Sequence, residues 1–149
     1  MTVISKRGNA MQDALYRKGK KIRAKVLGTG REKEIARDED DFSMPLREFS
    51  TRYVWGELWS RKGLPLKTRS LINVALLTAL KCGHELETHI RAARNNGCTK
   101  EEIREVLLQC AVYAGVPVMR DAVRHAQNVF AEEGKKRGRG LSCARLGKC

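Results

Sequence analysis

Residues 71–80, LINVALLTAL, limit the possible folds of this chain more than any other segment. Only Asn73 and Thr78 interrupt the apolar run, so a helix here is apolar on nearly every side and has to be enclosed by other helices. Thr68 is expected to cap the start of this helix, and Gly83 lies near its end. No stretch alternates with period two for long enough to predict a strand. The chain is therefore expected to be all-α.

Helical patterns lie on both sides of this segment. The first is highly basic and ends before Gly28, and we expect that helix to dock on a neighbouring subunit rather than on its own core. Thr99 and Glu102 have the spacing of a capping box, in which each side chain accepts a hydrogen bond from the other residue's amide. The chain is expected to form a single-domain bundle of about six or seven helices. Their expected positions are residues 11–26, Pro45 to Gly63, Thr68 to Gly83, His84 to Asn96 with Gly97 closing the helix, Thr99 to Gly115, and Pro117 to about Glu133.

The formal net charge of +13 is concentrated at the two ends of the chain. Residues 1–31 hold nine Lys or Arg and one Asp, residues 134–149 hold six and no acid, and the rest carry a net charge of −1. We therefore divide the chain into a basic N-terminal helix with a charged linker, 1–43, a helical domain, 44–133, and a basic tail, 134–149. The tail is rich in Gly and has no apolar periodicity, so we expect it to be disordered or loosely attached. Any contact of these ends with nucleic acid is expected to be non-specific.

The cysteines and the hydropathy of the chain together predict its cellular compartment. The five cysteines are odd in number and include no CxxC pair, which argues against a disulfide framework and a structural zinc site. No apolar run approaches the roughly 20 residues that a membrane span needs. The N-terminal cations are not followed by an apolar block, so no secretory signal is predicted. These observations predict a cytoplasmic protein without a membrane span.

Cys82, Glu85 and His89 are spaced so that a helix would place them on one face. A thiol, a carboxylate and an imidazole in one stripe make a candidate reaction site. His84 does not complete an HExxH zinc motif, because it lies five residues from His89 instead of four. Mixed thiolate and carboxylate ligation of one metal would also be unusual, so no metal site is predicted. From these residues alone, His89 could equally be a histidine whose ring bonds to a backbone carbonyl.

A longer pattern extends from Arg52 to Gln109. It consists of Arg52-Tyr53, Trp55-Gly56-Glu57, Trp59, Arg61, Gly63-Leu64, Thr68-Arg69-Ser70-Leu71, Glu85-Leu86, His89, Arg91-Ala92-Ala93, Asn95-Asn96-Gly97 and the run from Glu102 to Gln109. This pattern resembles the carboxymuconolactone decarboxylase and alkylhydroperoxidase D-like superfamily. The resemblance implies an alkylhydroperoxidase D-like fold and a homo-oligomer, usually a hexamer, with active sites close to subunit contacts.

The resemblance also implies an activity, the decarboxylation of 4-carboxymuconolactone to 3-oxoadipate enol-lactone in aromatic-acid (protocatechuate) catabolism. Another branch of the superfamily reduces hydroperoxides with a CxxCxxxH motif and a glutamate twelve residues before the first cysteine. Here Glu85 stands where the second cysteine would be, and Ser70 replaces that glutamate, so the motif lacks a resolving thiol. A thiol-dependent hydroperoxide reductase is the leading alternative. A helical oligomer that binds nucleic acid through its basic termini is the second.

Under the decarboxylase interpretation, the substrate itself takes up the electrons, so no metal or organic cofactor is required. His89 is expected to be the acid, and Glu85 to orient its ring or raise its pKa. Glu85 could instead be a surface partner of His89 or Arg91. Cys82 is expected to fill space without a chemical role.

The substrate is a dicarboxylate lactone, so cationic anchors are needed. Arg69 and Arg52 are expected to bind its carboxylates, because a guanidinium can donate two parallel hydrogen bonds to one carboxylate. Trp55, Glu57 and Ser70 belong to the same pattern and are expected to wall the pocket. The alternatives are that the arginines pair with a nearby glutamate or with a neighbouring subunit, and that Trp55 belongs to the core or an interface.

Overall fold

The computed structural model describes residues 3–37 and 40–145, and within these ranges every regular element is a helix. A π-helical segment, Ser50–Leu58, continues directly from the third α-helix. This confirms the expected all-α chain of about six or seven helices. The α-helices are α1 Val3–Leu27, α2 Thr29–Arg37, α3 Met44–Phe49, α4 Leu66–Ala79, α5 Gly83–Asn95, α6 Lys100–Ala114 and α7 Val116–Arg145.

Backbone contacts divide the chain into two compact units, one up to Arg69 and one from Ser70 onwards. The expected division into 1–43, 44–133 and 134–149 stays a prediction. Within the described ranges, no helix combines the length and the apolar character needed to cross a bilayer.

Several helix ends in the second unit confirm the local sequence signals. Thr99 Oγ1 accepts a hydrogen bond from the amide of Glu102 at 3.1 Å, and Glu102 Oε2 accepts one from the amide of Thr99 at 2.8 Å, so the capping box forms before α6. Gly97 follows α5 with a φ of +83°, and Gly115 ends α6 with a φ of +99°. Both are left-handed conformations that glycine adopts without steric cost, which is why these two helices end where the sequence predicts.

Other boundaries differ from the prediction. Thr68 does not cap α4, because the helix begins at Leu66 and places Thr68 in its first turn. The expected linker over residues 31–43 contains part of α2, where an ion pair between Arg31 and Glu34, 3.0 Å apart, supports the helix.

The predicted last helix continues past Glu133 to Arg145, through residues expected to form a disordered tail. No proline follows Pro117, and Lys and Arg are good helix formers, so the stretch continues as a helix despite its glycines. Residues 38–39 and 146–149 lie outside the described ranges.

In the first unit, α1 packs against the π segment by a direct approach of two backbones. A Cβ atom added at Gly19 would overlap the carbonyl oxygen of Thr51, and one added at Gly56 would overlap the carbonyl oxygen of Leu15. The guanidinium of the buried Arg23 donates a 2.8 Å hydrogen bond to Thr51 Oγ1 across the same contact. The expectation that this basic helix docks only on a neighbour is therefore wrong, because two glycines let it pack on its own unit.

In the second unit, the core is formed by apolar side chains of α4 to α7. Its largest fully buried members are Leu86, Ile90, Ile103, Val74 and Val129. On α4, however, the buried face also carries Ser70 and Thr78, whereas the opposite face is exposed at the apolar residues Ile72, Leu76 and, one position past the helix, Leu80. The described chain thus does not enclose this helix on all sides as expected. The homo-oligomer that the resemblance implies would cover such a face, and it stays a prediction.

Gly19→Ala should lower the free energy of unfolding by about 2 kcal/mol or more, because the new methyl group meets backbone rather than a flexible side chain. Gly30→Ala is the matched control. Its added Cβ meets no atom within 4 Å, and alanine favours the helical conformation, so it should be neutral or stabilise by up to about 1 kcal/mol. Urea unfolding measures both variants. A midpoint for Gly19→Ala at or above that of the unsubstituted protein would contradict the close backbone packing.

Candidate active site

His89 lies in the middle of α5 and is partly buried. Its Nδ1 is 3.3 Å from the side-chain amide nitrogen of Asn73, which comes from the facing helix α4. An amide Nδ2 can only donate, so in this arrangement Nδ1 of the imidazole accepts the hydrogen bond. A neutral ring that accepts at Nδ1 carries its proton on Nε2. The contact therefore selects one tautomer of His89.

The surroundings of His89 favour the uncharged ring. Burial lowers the pKa of His89 below its ordinary value of 6.5, and the nearby charge of Glu85 opposes this shift with a smaller effect. The Asn73 contact acts in the same direction as burial, because an imidazolium carries a proton on both nitrogens and could not accept from the amide. Both effects favour the uncharged ring, with its proton on Nε2. The role of His89 as the acid stays a prediction.

Glu85 is exposed one turn before His89 on α5. The proposed surface partner Arg91 is engaged elsewhere, since its Nη2 lies 3.4 Å from Glu87 Oε2 and 2.9 Å from Glu132 Oε2. What connects Glu85 to His89 is its charge, which raises the pKa of the imidazole. An orienting role for Glu85 stays a prediction.

Ser70 is completely buried near the start of α4. Its hydroxyl oxygen accepts a 2.8 Å hydrogen bond from the side-chain amide of Asn96, which lies at the end of α5. This bond and the contact between Asn73 and His89 join the same two helices one turn apart on α4. Ser70 therefore helps to set the position of α5, on which His89 lies, and its predicted role in the wall of a pocket is untested.

Arg52 and Arg69, in the first unit, each bury an Nε that has no hydrogen-bond acceptor in the described part of the chain. Arg52 Nη1 donates to Glu48 Oε2 at 2.8 Å, and its guanidinium lies 5.3 Å from the centre of the Tyr16 ring. Arg69 Nη2 donates to the carbonyl oxygen of Arg61 at 3.4 Å. Pairing with a glutamate thus occurs for Arg52. Each arginine nevertheless keeps a buried donor, which costs about 1–3 kcal/mol when unsatisfied and which a carboxylate could satisfy.

Trp55 and Glu57 lie on the π segment of the first unit, in different surroundings. Trp55 is buried and its ring stacks on that of Trp59 with centroids 5.1 Å apart. Glu57 is exposed. The alternative that Trp55 is a core residue therefore describes what the structure shows, and a contact of either residue with substrate stays a prediction.

Cys82 does not lie on the helix that carries His89. It occupies the N-cap position of α5 with a φ of −89° and a ψ of 69°, is exposed, and directs its thiol to the carbonyl oxygen of Leu80 at 3.6 Å. The expected stripe of Cys82, Glu85 and His89 on one helical face is therefore interrupted at its first member. Among the residues that the structure describes, no group of three or more His, Cys, Asp or Glu side chains is arranged to hold a metal ion.

Sequence reasoning missed two contacts in this unit. Asn73 was noted only as a break in an apolar run, although a polar residue on a helix that must pack is itself a signal for a specific partner. His125 was not considered. Its Nδ1 lies 2.9 Å from Glu87 Oε1, which also accepts from Asn128 at 3.2 Å, and these bonds, His125 first, hold the pKa of Glu87 below its usual value. The partners are 38 and 41 residues apart, beyond any local pattern.

Comparison with known proteins shows which family the chain resembles over these residues. Residues 45–128, which include every predicted site residue, match the model of the Carboxymuconolactone decarboxylase family. A 4-carboxymuconolactone decarboxylase from Acinetobacter baylyi is 42% identical over 119 residues, covering 80% of this chain and 89% of the relative. A nitrosuccinic acid decarboxylase from Metarhizium robertsii is 40% identical over 119 residues, covering 77% of this chain and 83% of the relative.

The tautomer and the pKa of His89 can be measured directly by long-range ¹H–¹⁵N NMR of the imidazole, with His89→Gln assigning its signals. At pH 7.5, Nε2 should be protonated and Nδ1 unprotonated, and the titration midpoint should lie below 6.5. Asn73→Leu removes the donor to Nδ1 and should mix the two tautomers. Gln109→Leu, at an exposed position of α6, should change neither. A protonated Nδ1 or a midpoint of 6.5 or above would contradict the assignment.

Proposed function

Since the chain belongs to the carboxymuconolactone decarboxylase family, we propose that it is a carboxy-lyase that converts 4-carboxymuconolactone to 3-oxoadipate enol-lactone. The relative from Acinetobacter baylyi supports this substrate, because the two chains match over most of their lengths. The structural observation that carries the proposal is His89, whose Nδ1 accepts from Asn73 so that the uncharged ring carries its proton on Nε2. Such a donor matches what the chemistry of this substrate demands.

The need for a hydrogen-bond donor follows from the position of the departing carboxylate. It sits on the ring carbon that bears the lactone oxygen, and the electrons left by carbon dioxide move through the ring alkene into the lactone carbonyl. The intermediate is a furanolate, whose negative charge lies on oxygen. Its formation is accelerated by a hydrogen-bond donor that is already in place when the charge develops. The ring carbon next to the carbonyl then takes a proton.

His89 fits the first of these two steps. A neutral imidazole donates Nε2–H to the developing oxyanion without losing its proton, and it needs no protonation beforehand. The proton that ends on the ring carbon then comes from another acid or from water, since removing Nε2–H from a neutral imidazole would be far too costly near neutral pH. The expected role of His89 as the acid is thus replaced, in the proposal, by stabilisation of charge.

We assign Arg52 and Arg69 to the two carboxylates of the substrate. Both bury an Nε–H for which the described residues offer no acceptor, and a carboxylate is the strongest acceptor for a guanidinium. Binding would remove the cost of the unsatisfied donors. Glu85 contributes a charge beside His89, and Trp55, Glu57 and Ser70 complete the set of residues that the family pattern contains.

Nitrosuccinic acid is a second candidate substrate, supported by the 40% identity to the decarboxylase of Metarhizium robertsii. It is also a dicarboxylate, and its nitro group can take up the electrons of the broken bond as the lactone carbonyl does. The same anchors and the same neutral donor would serve both substrates. A hydroperoxide reductase is less favoured, because the exposed Cys82 has Glu85 where a resolving thiol would stand, and Cys98 and Cys110 are buried.

Purified protein incubated with 4-carboxymuconolactone and the chelator EDTA, without added metal or cofactor, should release one carbon dioxide per substrate molecule. Nitrosuccinic acid is the parallel arm, and the ratio of the two kcat/KM values identifies the preferred substrate. Boiled protein corrects for spontaneous loss of carbon dioxide. Release from neither compound, or release that stops on chelation, would refute the proposed function.

The pH dependence of kcat distinguishes the two roles of His89. If the neutral ring is active, kcat should fall as the pH drops through the lowered pKa of His89 and stay level above it. An imidazolium acid would give the opposite slope, with kcat falling as the pH rises. His89→Gln should lower kcat by about 100- to 1,000-fold, the usual cost of losing one oxyanion donor, and should abolish this limb of the profile. Near-normal turnover in this variant would remove His89 from the mechanism.

A further inference from the structure

Five cations of α1 share one side of the helix. At about 100° per residue, Arg17, Lys18, Lys20, Lys21 and Lys25 fall within an arc of roughly 160°. All five are exposed, and the opposite side of α1 is the one that packs on the π segment. We call these five residues the basic face of α1.

The charge of the basic face is not neutralised within the described residues. None of its five side chains forms an ion pair there, and Lys20 makes only a distant contact with the Tyr16 ring, 5.9 Å from its Nζ to the ring centre. Asp13 is exposed near the edge of this face and does not pair with Arg17. Two glutamates of the same unit pair with other cations, Glu34 with Arg31 and Glu48 with Arg52. The face therefore carries about five uncompensated positive charges.

The backbone that bears the basic face is held in place. Gly19 and Gly56 allow the backbones of α1 and the π segment to touch, and the hydrogen bond from Arg23 to Thr51 crosses the same contact. The sequence assigned this charge to a basic helix at one end of the chain, and the structure packs that helix on its own unit. A ligand that binds there need not order the helix, which removes one entropic cost of binding.

The density of charge indicates the class of ligand. From Arg17 to Lys25 the helix rises about 12 Å, at 1.5 Å per residue. A duplex presents about seven phosphate charges over that length, at one per 1.7 Å of axis. The five cations therefore match a nucleic-acid backbone closely in charge per length.

A lipid surface fits less well. Helices that lie on membranes insert an apolar face among the lipids, and the apolar side of α1 is already used against the π segment. We propose that the basic face of α1 binds the phosphate backbone of duplex nucleic acid, independently of base sequence. This binding is separate from the proposed decarboxylase activity.

The test compares two triple variants of the full-length chain. Lys18→Gln, Lys21→Gln and Lys25→Gln together remove three charges from the basic face. Lys33→Gln, Lys62→Gln and Lys81→Gln remove three exposed charges elsewhere and serve as the control. Binding to a labelled 20-base-pair DNA of arbitrary sequence is followed by fluorescence anisotropy from about 50 to 200 mM salt. Carbon dioxide release and urea midpoints confirm that both variants remain folded.

Each phosphate contact contributes about 0.9 to the slope of log K against log salt concentration. Loss of three contacts should therefore reduce the slope by about 2.7, so that across this fourfold range the unsubstituted protein loses about 40-fold more affinity than the basic-face variant. The control variant should keep the slope of the unsubstituted protein. An equal loss in both variants, an unchanged slope in the basic-face variant, or tighter binding to phosphatidylserine vesicles than to the duplex would each overturn the proposal.

Discussion

The pairing of α4 with α5 through two amide side chains is the constraint on which the candidate site depends. Asn96 donates to the buried hydroxyl of Ser70, and Asn73 donates to the imidazole of His89. Buried polar groups are costly unless they find partners, so these bonds define the register of the two helices more narrowly than apolar packing alone would. The same helix, α4, leaves an apolar face exposed on its other side. The polar residues of α4 that form these bonds thus face α5. Its exposed apolar residues lie on the opposite face, which a further surface could cover.

What could be predicted from the sequence was local. The capping box of Thr99 and Glu102 and the end of α5 at Gly97 depend on residues a few positions apart, and each forms as expected. The site could be predicted only in part, because its determining contact joins Asn73 to His89 across two helices. Residue spacing identified His89 but could not show its partner, and the partner decides which nitrogen carries the proton. Burial, which lowers the pKa of His89, is likewise a property of the packed helices.

The basic helix α1 illustrates the opposite error, in which composition was correct but its placement was not. The charge count assigned the basicity of residues 1–31 to one end of the chain, and the helix there was expected to dock on a neighbour, because nothing in a charge count records how a helix packs. Gly19 and Gly56 were the available signal. Two glycines that allow backbones to touch indicate a helix built into the fold, and α1 packs on the π segment at these positions. A charge that is fixed on a packed helix can select a ligand by spacing, whereas a charge on a loose chain cannot.

The proposed mechanism, in which the neutral His89 donates to the developing oxyanion, has a consequence for substrate specificity. The lactone and nitrosuccinic acid differ in shape, but both place negative charge on oxygen when carbon dioxide leaves, and both carry two carboxylates. A hydrogen bond from Nε2 of His89 serves either oxyanion, so it does not distinguish the substrates. If Arg52 and Arg69 bind the carboxylates as proposed, discrimination between the substrates would come from how these two arginines are placed and not from the group that stabilises the charge.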